Sequence, residues 1–268
     1  MTGRGSERLG ILLVPLLGAL TALLALPFLL ETEIVWADLS MPLNDGSILL
    51  ALAVLVHGCL VLSPRRAIAF LVLAVATGWS VEVLGLASTF PFGTRYRYHP
   101  ALAPVLPGGV PLFIPLAWYV ITAAPFVFFR GLRVRRNRCL RPEVYALKVL
   151  LAGVFVCGVD LILDPLAVSV AAWTWESGGP YFNTPVWNYT GWLGIAAFVA
   201  AVHLPWSEPF SANLARKLDT ASAIIGVLLL GLATVALTAR LGSIVPALVA
   251  LPLLLPGAIV FHRTRRSG

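Results

Sequence analysis

Three carboxylates stand in segments otherwise apolar enough for a hydrocarbon core: Glu82 in "GWSVEVLG", and Asp160 and Asp164 in "GVDLILDP". A carboxylate at a bilayer centre costs on the order of 2.5–3.5 kcal/mol on insertion scales, so residues of this type in such a place point to function. Gly153, Cys157, Asp160 and Asp164 follow one another in steps of 4, 3 and 4 residues, which stacks them on one helix face. Gly78, Glu82 and Gly85 make a second stripe, and small residues beside an acid leave room for a neighbouring helix or a ligand. Carboxylates that share a low-dielectric site do not both ionise easily. One keeps its proton near neutral pH and can act as a general acid, while another serves as base. The pair titrates as a unit, and either member can be the acid.

Absent motifs narrow the reaction class. The chain has no HxxxH or HxxHH box for a histidine-rich di-iron site, and no GxGxxG after a strand, GxxxxGK[ST], GxSxG or HExxH. Cys59, Cys139 and Cys157 are odd in number and form no CxxC pair, so neither a disulfide framework nor a zinc site is implied. The expectation is acid–base chemistry with no cofactor and no metal.

The elements that must position these acids are membrane helices. Of 268 residues, 59% are hydrophobic and 12% charged, and the mean hydropathy is +0.91, far from soluble composition. Apolar runs long enough to cross a ~30 Å hydrocarbon core lie at 9–30, 66–88, 110–130, 144–164, 188–206, 219–239 and 242–262, with a shorter one at 47–62. The fold expected is an all-α integral membrane protein, a single domain over 1–268 built as a bundle of about eight transmembrane helices. The run 9–30 follows Arg4 and Arg8 as a signal peptide would, but its length marks it as a retained first helix. "PLNDG" is expected to break the chain before the run 47–62, "SPRR" after it, and "RGLRVRRNRCLRP" and "EPFSANLARKLD" further on. Pro165 is expected to break or kink the run that carries the two aspartates.

The net charge of +7 sits in short clusters between apolar runs, a pattern that argues against nucleic acid and for a lipid bilayer as partner. With both termini cytoplasmic, fifteen of the nineteen Lys and Arg residues fall inside, as the positive-inside rule requires. Glu31, Glu33, Asp38 and Asp45 then fall in the first outer loop. The three acids lie near the extracytoplasmic side of a multi-pass cell-membrane protein. Two aromatic, polar outer loops, "STFPFGTRYRYHP" and "WTWESGGPYFNTPVWNYTGW", converge on the same side. They supply the candidate substrate-binding residues Arg95, Tyr96, Arg97, Tyr98, His99, Trp173, Trp175, Glu176, Asn188 and Trp192. Each has a plainer role available: the aromatics as an interfacial belt, Asn188 as a helix cap, and Arg95 or Arg97 as an ion-pair partner that locks an acid in place.

The order "GWSVEVLG", "TFPFGTRYRYHP", "GVPLFIPLAWYV", "GVDLILDP" and "WTWESGGPYFNTPVWNYTGW" resembles the carotenoid biosynthesis membrane-protein family over about residues 75–205, with 9–62 and 219–262 as accessory helices. The resemblance implies a cofactor-independent carotenoid hydratase that adds water to a terminal isoprenoid double bond, giving a tertiary alcohol. Its partners would be a lipophilic carotenoid, water and other carotenoid biosynthesis enzymes. The chemistry suits the acids: Asp160 or Asp164 donates a proton, a tertiary cation forms, and water oriented or deprotonated by Glu82 captures it. Aromatic faces of Tyr96, Trp173, Trp175 or Trp192 can stabilise the cation. Two rivals remain. A cyclase or isomerase shares the protonation step, and a proton-coupled transporter also uses carboxylates on facing helices. A purely structural subunit would tolerate Asp160→Asn and Glu82→Gln.

Overall fold

The computed structural model describes residues 13–16, 18, 20, 36–132, 135–136 and 139–266. The expected first span, 9–30, falls almost wholly outside the described residues, as do Arg4, Arg8, Glu31 and Glu33. Seven α-helices are described: α1 (Trp36–Val61), α2 (Pro64–Ala87), α3 (Phe113–Phe128), α4 (Pro142–Ser169), α5 (Val186–His203), α6 (Ala212–Leu241) and α7 (Val245–Arg266). Five of these, α1, α2, α4, α6 and α7, are long and apolar enough to cross a membrane; α3 is apolar but has 16 residues. Helix α5 has 18 residues and carries Asn188, Tyr189 and Thr190 in its first turns.

Local chemistry accounts for several boundaries. Ser63 caps α2 by accepting the Arg66 N–H at 3.3 Å, with Pro64 in the first turn. Ser211 caps α6 in the same way through the Leu214 N–H, and Gly242 ends α6 in the left-handed conformation. The "PLNDG" stretch does not break the chain. It lies inside α1, so Asp38 and Asp45 belong to that helix and not to a loop. Asn44 sits there with its amide tied across the bundle, Nδ2 donating to the Ala103 carbonyl at 2.6 Å.

Pro165 does not end α4 either, which continues to Ser169. A proline removes one helical N–H, and the acceptor it abandons is the carbonyl four residues earlier. That carbonyl, on Leu161, accepts the Tyr181 hydroxyl at 3.2 Å instead.

Helix α4 is the central element, packed against α3, α5, α6 and α7. Its glycines set the close approaches. A Cβ on Gly153 would meet the Leu193 carbonyl of α5 at 2.7 Å, and one on Gly158 would meet Leu253 of α7 at 2.9 Å. The helical expectation leaves out three short two-stranded ribbons. Strand β1 (Tyr96–Tyr98) pairs antiparallel with a strand at Trp173–Trp175, Tyr96 opposite Trp175 and Tyr98 opposite Trp173. Two more short ribbons, Val105–Leu106 with Val110–Pro111 and Arg135–Arg136 with Cys139–Leu140, close loops. Alternation along "YRY" and "WTW" turns four aromatic rings to one face and leaves Arg97 and Thr174 exposed on the other.

Candidate active site

Glu82, on α2, is buried and accepts three hydrogen bonds. The Tyr96 and Tyr98 hydroxyls both donate to Oε2, the latter at 2.6 Å, and the Trp118 indole N–H donates to Oε1 at 2.8 Å. The flanking glycines make this possible: a Cβ on Gly78 would lie 2.6 Å from Trp118, and one on Gly85 2.7 Å from Phe92. Burial, with Glu82 beside them, holds both phenols well above their usual range, so they remain donors.

The two aspartates of α4 face the same space. Asn188, in the first turn of α5, places its amide Nδ2 2.9 Å from Asp160 Oδ2 and 2.9 Å from Asp164 Oδ2, clamping the carboxyls together. The Trp173 indole N–H, from the ribbon, donates to Asp164 Oδ1. Asp160 is 0% exposed, and its Oδ1 has no hydrogen-bond partner among the described residues. Among the described residues, the side chains that donate to the three acids are neutral. The ion pairs that would make them structural locks with Arg95 or Arg97 are not formed.

Glu82, Asp160 and Asp164 line one cavity of about 190 Å³, walled by Phe92, Tyr96, Tyr98, Trp118, Trp173, Trp175, Asn188 and Trp192. Trp118 and Trp192 stack with ring centroids 4.0 Å apart, and Tyr96 and Trp175 approach to 4.8 Å. The remaining candidates stand elsewhere. Arg95, Arg97 and Glu176 are exposed on the outer side of the ribbon, where the Glu176 N–H donates to the Arg95 carbonyl. His99 is a turn residue whose Nδ1 accepts the Ala101 N–H.

Trp118 escapes sequence reasoning because it sits in an apolar helix, where a core role is the ordinary one; the clue is that a buried indole N–H needs an acceptor. The polar loops alone suggest Asn188 as a cap or substrate contact, and the structure gives it the linking position between the aspartates.

The family described as "Carotenoid biosynthesis protein" matches residues 46–256, wider than the segment 75–205 that carries the motifs. The chain is 30% identical over 179 residues to the bisanhydrobacterioruberin hydratase of Haloarcula japonica, covering 67% of this chain and 58% of that relative. The chain thus spans less than two thirds of the relative's length. No solved structure matches.

Proposed function

The chain belongs to the carotenoid biosynthesis protein family, and from that premise we propose that it is a hydratase adding water across a terminal carbon–carbon double bond of an acyclic carotenoid end group. Likeness to a relative named as a hydratase supports the reaction class. One structural observation supports the site: the unpartnered, fully buried Asp160 Oδ1 in an aromatic-walled cavity with Asp164 and Glu82.

In the proposed cycle, the aspartate pair in its singly protonated form gives a proton to C2 of the terminal alkene, leaving a tertiary cation at C1. Water attacks C1 and loses a proton to Glu82, and exchange within the cavity returns that proton to the aspartates. The sum is addition of one water with no redox change. Asn188 and Trp173 hold the pair in register, and Tyr96, Tyr98 and Trp118 aim Glu82. The faces of Trp173, Trp175 and Trp192 stabilise the cation, each worth up to about 2 kcal/mol when water is excluded. The site sits toward the extracytoplasmic interface, where an oily chain and water meet.

Co-expression with a lycopene or gamma-carotene pathway in heavy-oxygen water tests the reaction. Pigment heavier by one labelled water is the expected product. Unaltered pigments across the whole set of acyclic carotenoids would overturn it.

A further inference from the structure

A second, larger cavity of about 630 Å³ lies below the acids, enclosed by α1, α3, α4, α6 and α7 and lined almost wholly by aliphatic and aromatic side chains. It abuts the acid cavity, with Ala117, Ile121 and Leu163 as the shared wall. Its lower end is polar. His57 lines it and meets Asp219 Oδ1 at 3.0 Å, and Asp219 is in turn held by Arg130 Nε at 2.6 Å. His57 lies about five residues before the α1–α2 turn and Glu82 about nineteen after it. At 1.5 Å per residue the two cavities therefore span about 20 Å from acids to His57.

Among the described residues, one side of this space is open. Val227 of α6 and Leu251 and Leu255 of α7 line it yet are 59%, 49% and 43% exposed. Gly226 and Gly231 also line it, and a Cβ on either would meet nothing within 4 Å. In a bilayer this opening faces lipid chains.

Building on the proposed hydratase reaction, we infer that the large cavity is the binding site for the substrate's chain behind its reacting end, entered sideways from the bilayer between α6 and α7. Ala117, Ile121 and Leu163, the wall the two cavities share, part to pass the acyclic terminus with its two methyl groups on to the acids. A polyene as long as the ~30 Å hydrocarbon core exceeds the roughly 20 Å available, so its far end stays in lipid. The enzyme therefore reads one end group and the chain next to it, and is indifferent to what lies beyond.

The test reads binding apart from turnover. Purified protein in lipid nanodiscs is titrated with lycopene, and the induced circular dichroism of the polyene reports binding. Wild type is compared with Gly226→Trp and Gly231→Trp, which fill the opening, and with Ile224→Trp, a lipid-facing control on α6. At least tenfold weaker binding in both glycine variants, with the control within twofold, is the expected result, and two separate sites guard against one variant misfolding. Unchanged binding in both glycine variants, or an equal loss in the control, would overturn the inference. If wild type binds lycopene in this glycine-dependent way but forms no labelled alcohol, the hydratase proposal fails while the chain site stands.

Discussion

The Asn188 amide nitrogen sits 2.9 Å from Asp160 Oδ2 and holds the same distance to the neighbouring aspartate, so one neutral side chain fixes the spacing of the acid pair. Asn188→Ala removes the shared donor and leaves two buried oxygens unsatisfied, a loss of about 1–3 kcal/mol. Thermal unfolding in detergent should register that loss, and hydration should fall at least a hundredfold because the pair is no longer aligned. A variant equally destabilised but fully active would show that the clamp serves folding alone.

Glu82→Gln keeps one oxygen to receive the tyrosines or Trp118 but not all three donors, and it removes the base. The expected result is folded protein with hydration reduced about 10²–10⁴-fold. Asp160→Asn and Asp164→Asn should lose at least as much. Wild-type turnover in all three would show that these acids are structural and not catalytic.

Tyr181→Phe frees the Leu161 carbonyl that Pro165 leaves without its helical donor. The cost should be about 1 kcal/mol, a fall in melting temperature of roughly 2–4 °C for a chain of this size. Burial and the nearby Asp160 push the Tyr181 phenol up to about 12. A raised folded value means its stabilisation is complete below pH 10 and is lost between about pH 10 and 12. Melting curves of wild type should fall with pH in that window more steeply than those of Tyr181→Phe.

Arg130→Ala leaves Asp219 buried with only His57 as partner, and breaking a buried pair in this way costs about 3–5 kcal/mol. The double variant Arg130→Met with Asp219→Leu should recover much of that loss in the same unfolding assay. Failure to recover would mean that the ion pair also orients α1, α3 and α6.

Helix positions and the three acids were legible in the sequence because both signals are local: apolar length and a charge where none is cheap. The stripes around Glu82 and Asp160 were legible for the same reason, since helical spacing fixes a face before any partner is known. What each acid bonds to was not legible. Trp118, Trp173 and Asn188 reach the carboxyls from other elements, and nothing in the spacing of a single helix names a partner 9 to 36 residues away. The failure at "PLNDG" has the same origin: a turn composition was overridden by a bond from Asn44 to a loop 59 residues on. The run of α4 past Pro165 without a break has that origin too, because the compensating Tyr181 lies beyond the helix. Tyr96, Tyr98, Trp173 and Trp175 were picked out by composition, but only strand pairing separates them from Arg95 and Arg97, their sequence neighbours.

Every donor to the three acids lies later in the chain than the acid it serves: 96, 98 and 118 follow Glu82, and 173 and 188 follow the aspartates. A ribosome adds roughly 5–20 residues per second, so Trp118 emerges roughly 2–7 s after Glu82. Tyr96 and Tyr98 come first, roughly 1–3 s after Glu82; until then α2 holds its glutamate without these donors, and the aspartates of α4 later wait in the same way. The site is thus assembled in chronological order, acids first and clamps afterwards. A synthesis pause between residues 82 and 96 prolongs the moment at which Glu82 stands without any of its donors.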